Sequence, residues 1–210
     1  MLALPTIMIT KGSARWQSLN ADGRYGVALL CVLALLALPA TGGEAWRAAW
    51  RYERTALAAG EWWRLFSAHF VHLDARHLVF NLAGLALLWV LFARSWRPLQ
   101  WLPIALLSVL GIDAGLWWLS PRVVWYVGAS GVLHGLWAAG AAGEWRRRAP
   151  LYWLPALLLA VKLLVEQWRG ASVVAGDMPV VLMAHVYGAA GGLVWPLLSL
   201  GRRSGRTQSL

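Results

Sequence analysis

Residues 77–92 read HLVFNLAGLALLWVLF. Apart from His77 and Asn81 the run is apolar, and its apolar residues fall on every side of a helix rather than on one stripe. At about 1.5 Å per residue it covers most of a hydrocarbon layer of about 30 Å. Inside lipid a backbone has no water to bond, so a lone segment of this kind must be helical. His77 and Asn81 stand four residues apart, on one face, at the start of the span. Polar groups are costly at such positions and each needs a reason.

Working outward, the same character recurs. Six apolar spans are expected, at Tyr25–Ala40, His77–Phe92, Leu99–Leu119, Val127–Gly143, Leu151–Val165 and Val180–Leu200. Of the 210 residues 60% are hydrophobic and 13% charged, too few charges for the surface of a soluble domain of this size. The expected fold is an all-α membrane protein of six transmembrane helices. Residues 1–24 form a cytoplasmic N-terminal segment, 25–200 one membrane domain, and 201–210 a cytoplasmic tail. The long first loop, Thr41–Arg76, is expected outside and partly immersed, because Trp46, Trp50, Trp62 and Trp63 sit among its charges.

The net charge of +10 suggests nucleic acid at first sight, but it is distributed as loop arginine. Lys11, Arg15, Arg24, Arg94, Arg97, Arg146, Arg147, Arg148, Arg202, Arg203 and Arg206 fall in alternate connections. By the positive-inside rule those connections and both termini are cytoplasmic. A cleaved leader ending near Ala40 would leave five spans, whereas the loop charges fit six. The single cysteine, Cys31, lies within an apolar run, where no internal disulfide is possible. Neither a metal nor an organic cofactor is called for, and the expected surroundings are the lipid bilayer rather than nucleic acid.

Two further polar groups stand where lipid is expected. Gly128-Ala129-Ser130-Gly131 opens the fourth span, and Ala184-His185-Val186-Tyr187-Gly188 lies in the sixth. A serine between glycines is accessible at backbone level, and a serine hydroxyl becomes a useful nucleophile when a base takes its proton. Packing serines and bonded structural histidines are the plainer readings of each residue alone. The alternation of loops puts both near the outer ends of their spans. Gly131 with Gly135, and Gly188 with Gly192, make small faces that let two helices approach closely. His77 and Asn81 begin at the same outer side and can donate hydrogen bonds to a developing oxyanion, or serve as a cap and an interhelical amide.

Together these elements resemble the rhomboid family of intramembrane serine proteases. The matching motifs are GxSG at Gly128–Gly131, AHxxG at Ala184–Gly188, HxxxN at His77–Asn81, and Trp63-Arg64 in the first loop, in the family's order. The resemblance implies a rhomboid-like helical bundle and a Ser130–His185 dyad without a carboxylate. It implies an oxyanion hole of His77, Asn81 and the Ser130 N–H, with Gly128, Gly131, His134 and Gly188 supporting. It also implies a first loop that stabilises the fold.

His134 stands where rhomboids commonly carry a tyrosine packed on the catalytic histidine. That variant, in a short chain, is similar to the rhombosortase branch. The branch implies a bacterial inner-membrane enzyme, its active site open to the periplasm. Its substrates would be single-span proteins with GlyGly-CTERM tails, meaning a glycine-rich motif, one span, then basic residues. His134 either orients His185 or fills the tyrosine's space. A catalytically silent relative that binds membrane clients is the alternative function.

Asp113 is expected mid-span, too deep to complete a triad. Lys162 and Glu166, four residues apart at the outer end of the fifth span, are expected to pair or snorkel. His69 and His72 are expected to tie down the loop, with transient metal binding as the alternative.

Overall fold

The computed structural model describes residues 20–148, 151–174 and 178–204, with backbone alone for 200–204. Lys11, Arg15 and Arg206 of the charge argument lie outside the described residues. So do nearly all of the N-terminal segment and most of the C-terminal tail.

Helix α1 (Gly23–Ala37) ends in a 3₁₀ turn, Leu38–Gly42, where Pro39 and two glycines interrupt the apolar run. The first loop then folds into short pieces: α2 (Gly43–Trp50), strand β1 (Tyr52–Glu53), α3 (Arg54–Ala58) and α4 (Arg64–Ser67). Next come α5 (Ala75–Phe92) and α6 (Trp101–Ala114), the latter extended by a π-helical turn at Gly115–Leu119. Strand β2 (Trp125–Tyr126) pairs antiparallel with β1, Tyr52 opposite Tyr126. Then follow α7 (Ser130–Arg147), α8 (Leu154–Arg169) and α9 (Leu182–Ser204).

Each of the six expected spans therefore contains a helix. Among the described residues four stretches are long and apolar enough to cross a membrane: Gly23–Trp50, Ala75–Phe92, Pro98–Leu119 and Leu182–Ser199. Helix α7 fails on composition, since its glycines, Glu144 and closing arginines lower its hydropathy. Helix α8 has 16 residues and carries Lys162 and Glu166. Both weaknesses are where the site residues and the close packing lie.

The polarity of the bundle is inverted relative to a water-soluble protein. Leu30, Leu102 and Leu197 expose 67%, 67% and 64% of their surface. Asn81, Ser108, Asp113, His134, Glu166 and His185 are buried. An apolar exterior around a polar interior is stable only in lipid, and the chain is a multi-pass membrane protein.

Helix α7 is central and packs most closely on α9, with α5, α6 and α8 around it. Lipid offers no hydrophobic drive for helix association, so close approach must supply it. A Cβ built on Gly188 would collide with the Gly131 carbonyl, and one on Gly192 with the Gly135 carbonyl. The two expected glycine faces thus meet backbone to backbone. One end of the bundle collects the arginines. Arg94 pairs with Asp22 at 2.7 Å, Arg147 Nη1 donates to the Arg94 carbonyl at 2.6 Å, and Arg146 Nη1 to Ser199 Oγ at 2.9 Å. Ser130, His185 and the β1–β2 pair lie toward the other end.

The first loop is organised by Arg64. Its guanidinium is buried, donates to the carbonyls of Ala48 and Arg51 at 2.8 and 3.0 Å, and pairs with Glu61 at 2.7 Å. Ser67 Oγ adds a bond to the Trp50 carbonyl at 2.8 Å. One cation thereby ties the C-terminal end of α2 to α4.

Candidate active site

Ser130 occupies the first position of α7, reached through a tight approach. Gly128 has φ +114°, a conformation that side chains rarely tolerate. Its N–H donates to the Ala68 carbonyl at 2.9 Å, and its own carbonyl accepts from Tyr126 Oη at 2.6 Å. At the start of α7 the Leu133 N–H donates to the Ala129 carbonyl at 2.9 Å. By its position the Ser130 N–H has no acceptor within the helix and belongs to the positive end of the helix dipole.

His185 reaches the serine from α9. Its Nε2 lies 3.0 Å from Ser130 Oγ, and its ring is buried. On the far side of the ring, Nδ1 lies 2.9 Å from Glu166 Oε2. Sequence reasoning had Glu166 and Lys162 pair or snorkel and did not bring the acid to the histidine. The pair exists, with Lys162 Nζ 2.6 Å from Oε1. The carboxylate nevertheless has two oxygens, and the second faces His185. The resemblance implied a dyad without a carboxylate, and here a carboxylate contacts the base. The available signal was a buried acid near the outer end of a span, with only one of its oxygens accounted for by an i, i+4 lysine.

His134 lies flat on His185, ring centroids 4.0 Å apart and planes 12° from parallel. It therefore fills the stacking position. It is also bonded at both nitrogens, with Nδ1 2.7 Å from the Ser130 carbonyl and Nε2 2.8 Å from Lys162 Nζ. His134, Glu166 and His185 offer metal-ligand atoms within 4.8 Å of one another. The Lys162 ammonium, bonded to both Glu166 and His134, opposes a cation there.

His77 is buried at the start of α5, whose N-cap Asp74 accepts from the His77 N–H at 2.8 Å. The Leu73 N–H donates to His77 Nδ1 at 3.3 Å, which leaves the ring proton on Nε2. Nε2 is buried without a partner among the described residues. A Cβ on Gly128 would stand 2.6 Å from the ring's Cε1 and 2.9 Å from Nε2. An unspent donor thus lies against the glycine that leads into Ser130. Asn81 is buried one turn further along, and its Nδ2 donates to the His77 carbonyl at 2.9 Å. One of its two amide hydrogens is therefore committed.

The remaining candidates fall elsewhere. Asp113 faces His69, Nε2 to Oδ1 at 3.5 Å, an ion-pair distance without hydrogen-bond alignment. His69 meets Tyr126 edge-on at 5.6 Å, so this pair braces the first loop against α6 and β2. His72 meets the His77 ring edge-on at 5.2 Å. Burial, then the neighbouring His77, pull the His72 pKa down to about 4, which keeps a second positive charge away from the site.

A cleft of about 240 Å³ opens beside the site. It is lined by His77 together with Leu73, residues 123–127 and residues 179–181.

No curated protein matches the chain at a significant level. Residues 59–202 match the rhomboid domain. That range contains Trp63-Arg64, HxxxN, GxSG and AHxxG, and with most of the chain inside it the protein belongs to the rhomboid family, whose members are intramembrane serine proteases.

Proposed function

We propose that this chain is an intramembrane serine endopeptidase with Ser130 as nucleophile and His185 as general base. The observation that carries the reading is the 3.0 Å approach of His185 Nε2 to Ser130 Oγ beside an unspent His77 donor. As Ser130 Oγ attacks a peptide carbonyl, its proton passes to Nε2 of His185. The carbonyl oxygen becomes an oxyanion, stabilised by His77 Nε2–H, the remaining Asn81 amide hydrogen and the Ser130 N–H. Collapse of the intermediate expels the amine, which takes the proton from His185 and leaves an acyl-serine. Water attacks the ester, His185 takes the water proton and returns it to Ser130, and the acid product leaves.

In this reading six helices cross a bacterial inner membrane, with both termini in the cytoplasm beside the arginine-rich end. The site opens toward the periplasm. The substrates are single-span proteins with GlyGly-CTERM tails, cut at the outer side of the span. His134 in the stacking position supports that branch.

The test is co-expression with a reporter bearing a GlyGly-type tail, with its size followed beside a Ser130→Ala version. Tail removal by the unmodified protein alone supports both the mechanism and the substrate. If neither version cuts but a serine-directed phosphonate still labels Ser130, the substrate assignment falls and the protease reading stands. If Ser130→Ala cuts, the nucleophile is wrong. If nothing is labelled or cut, the chain is a silent relative that binds clients.

A further inference from the structure

Glu166 is fully buried at the end of α8, yet donors converge on its carboxylate. Oε1 accepts from Lys162 Nζ at 2.6 Å, Ser172 Oγ at 3.1 Å and the Val173 N–H at 3.1 Å. Oε2 faces His185 Nδ1 at 2.9 Å. A carboxylate has no proton to give, so His185 must place its own proton on Nδ1. Its Nε2 then carries the lone pair that faces Ser130 Oγ. The same logic orders the neighbouring ring. The Ser130 carbonyl can only accept, so His134 carries its proton on Nδ1 and accepts from Lys162 at Nε2. Both ring protons are thereby assigned, that of His185 by the Glu166 carboxylate and that of His134 by the Ser130 carbonyl.

From this geometry we infer that Glu166 is a positioning residue, which fixes the tautomer and orientation of His185 and stabilises the imidazolium formed when Ser130 is deprotonated. Lys162 supplies the counter-charge without which a buried carboxylate would be costly, and it holds His134 flat against His185. The inference rests on the serine-protease reading above and adds a third member to the pair. A purely structural role is served at Oε1 by Lys162, Ser172 and Val173. It would not require the second oxygen to meet the base on the side opposite the nucleophile.

Glu166→Gln separates positioning from packing. The amide has one oxygen, and Lys162, Ser172 and Val173 all claim it. The NH₂ is then left facing His185 Nδ1, which must become an acceptor and move its proton to Nε2. Ser130 would meet a donor where it needs a base. A packing role makes the isosteric glutamine milder than aspartate. The positioning role reverses that order, because aspartate keeps the charge and the tautomer.

The readout is the rate at which a fluorophosphonate labels Ser130 in detergent-solubilised protein, with Ser130→Ala as the control. Glu166→Gln is expected to lower the rate on the order of 10³-fold. Glu166→Asp is expected to exceed Glu166→Gln at least roughly tenfold. A second measurement needs no variant to fold well. In the unmodified protein, ¹⁵N-histidine spectra should show His185 protonated at Nδ1 and bare at Nε2. Labelling of Glu166→Gln within about tenfold of the unmodified rate, a rate above that of Glu166→Asp, or a His185 proton on Nε2 overturns the inference. If the serine is labelled but Glu166→Gln is unimpaired, only the positioning role fails. If the unmodified protein resists the probe, the protease reading fails with it.

Discussion

Gly188→Ala probes the contact on which the site depends. Gly188 is one turn beyond His185 on α9, and Gly131 follows Ser130 directly on α7. A methyl at residue 188 would lie 2.6 Å from the Gly131 carbonyl carbon and closer still to its oxygen. Ordinary carbon contacts begin near 3.5 Å, so the helices must separate by roughly 1 Å at this level. Backbone stands on both sides, and no side chain can rotate out of the way. The Ser130–His185 distance of 3.0 Å would then approach roughly 4 Å, beyond hydrogen-bond reach. A misplacement of that size costs about 10²-fold in rate, and overpacking costs about 1–3 kcal/mol in stability. Fluorophosphonate labelling reads the first effect and thermal unfolding in detergent the second. If Gly188→Ala is stable and labels at the unmodified rate, Ser130 and His185 do not depend on this glycine contact, and the packing argument is wrong.

Three other expectations follow from single residues. Arg64→Ala frees two carbonyls and Glu61, and should cost on the order of 3 kcal/mol, seen as a lowered Tm and faster proteolysis within the first loop. His77→Ala removes the unspent donor and should lower kcat about 10²–10³-fold with KM changed less than about threefold, measured on any cleaved reporter; a KM effect alone would assign His77 to binding. Gly128→Ala forces φ +114° on an L residue and drives a methyl into the His77 ring. It should cost about 1–3 kcal/mol and depress labelling, whereas unimpaired labelling would mean that the turn before Ser130 can relax.

The helices were legible because lipid imposes a severe rule. A run such as residues 77–92 has one structural solution, and the motifs fall at the ends of such runs. The meeting of Ser130 with His185 was also legible, since paired glycine faces have one main use in a membrane. What stayed hidden was Glu166. An i, i+4 lysine gave a sufficient local explanation for it, and local spacing does not reveal that α8 turns the acid toward α9. His134 was visible as an anomaly, but its two bonds join the Ser130 backbone to α8, a pairing that no spacing encodes. Asp113 was expected mid-span and too deep for a triad; it lies against His69 of the first loop, a partner that spacing along the chain does not reveal.

The acid and the lysine also need a reason for standing on α8, which is otherwise an apolar helix. A buried Glu–Lys pair costs desolvation that Coulomb attraction repays only when the remaining lone pairs and protons are bonded. Here both Glu166 oxygens are used, and Lys162 has two partners, so the cost is largely offset. A pair kept only for stability could be replaced by apolar residues at little loss, since α8 is otherwise an apolar helix. What apolar residues cannot supply is a proton acceptor for His185 Nδ1 and a donor for His134 Nε2. The chemistry of the rings therefore accounts for the two charges on α8.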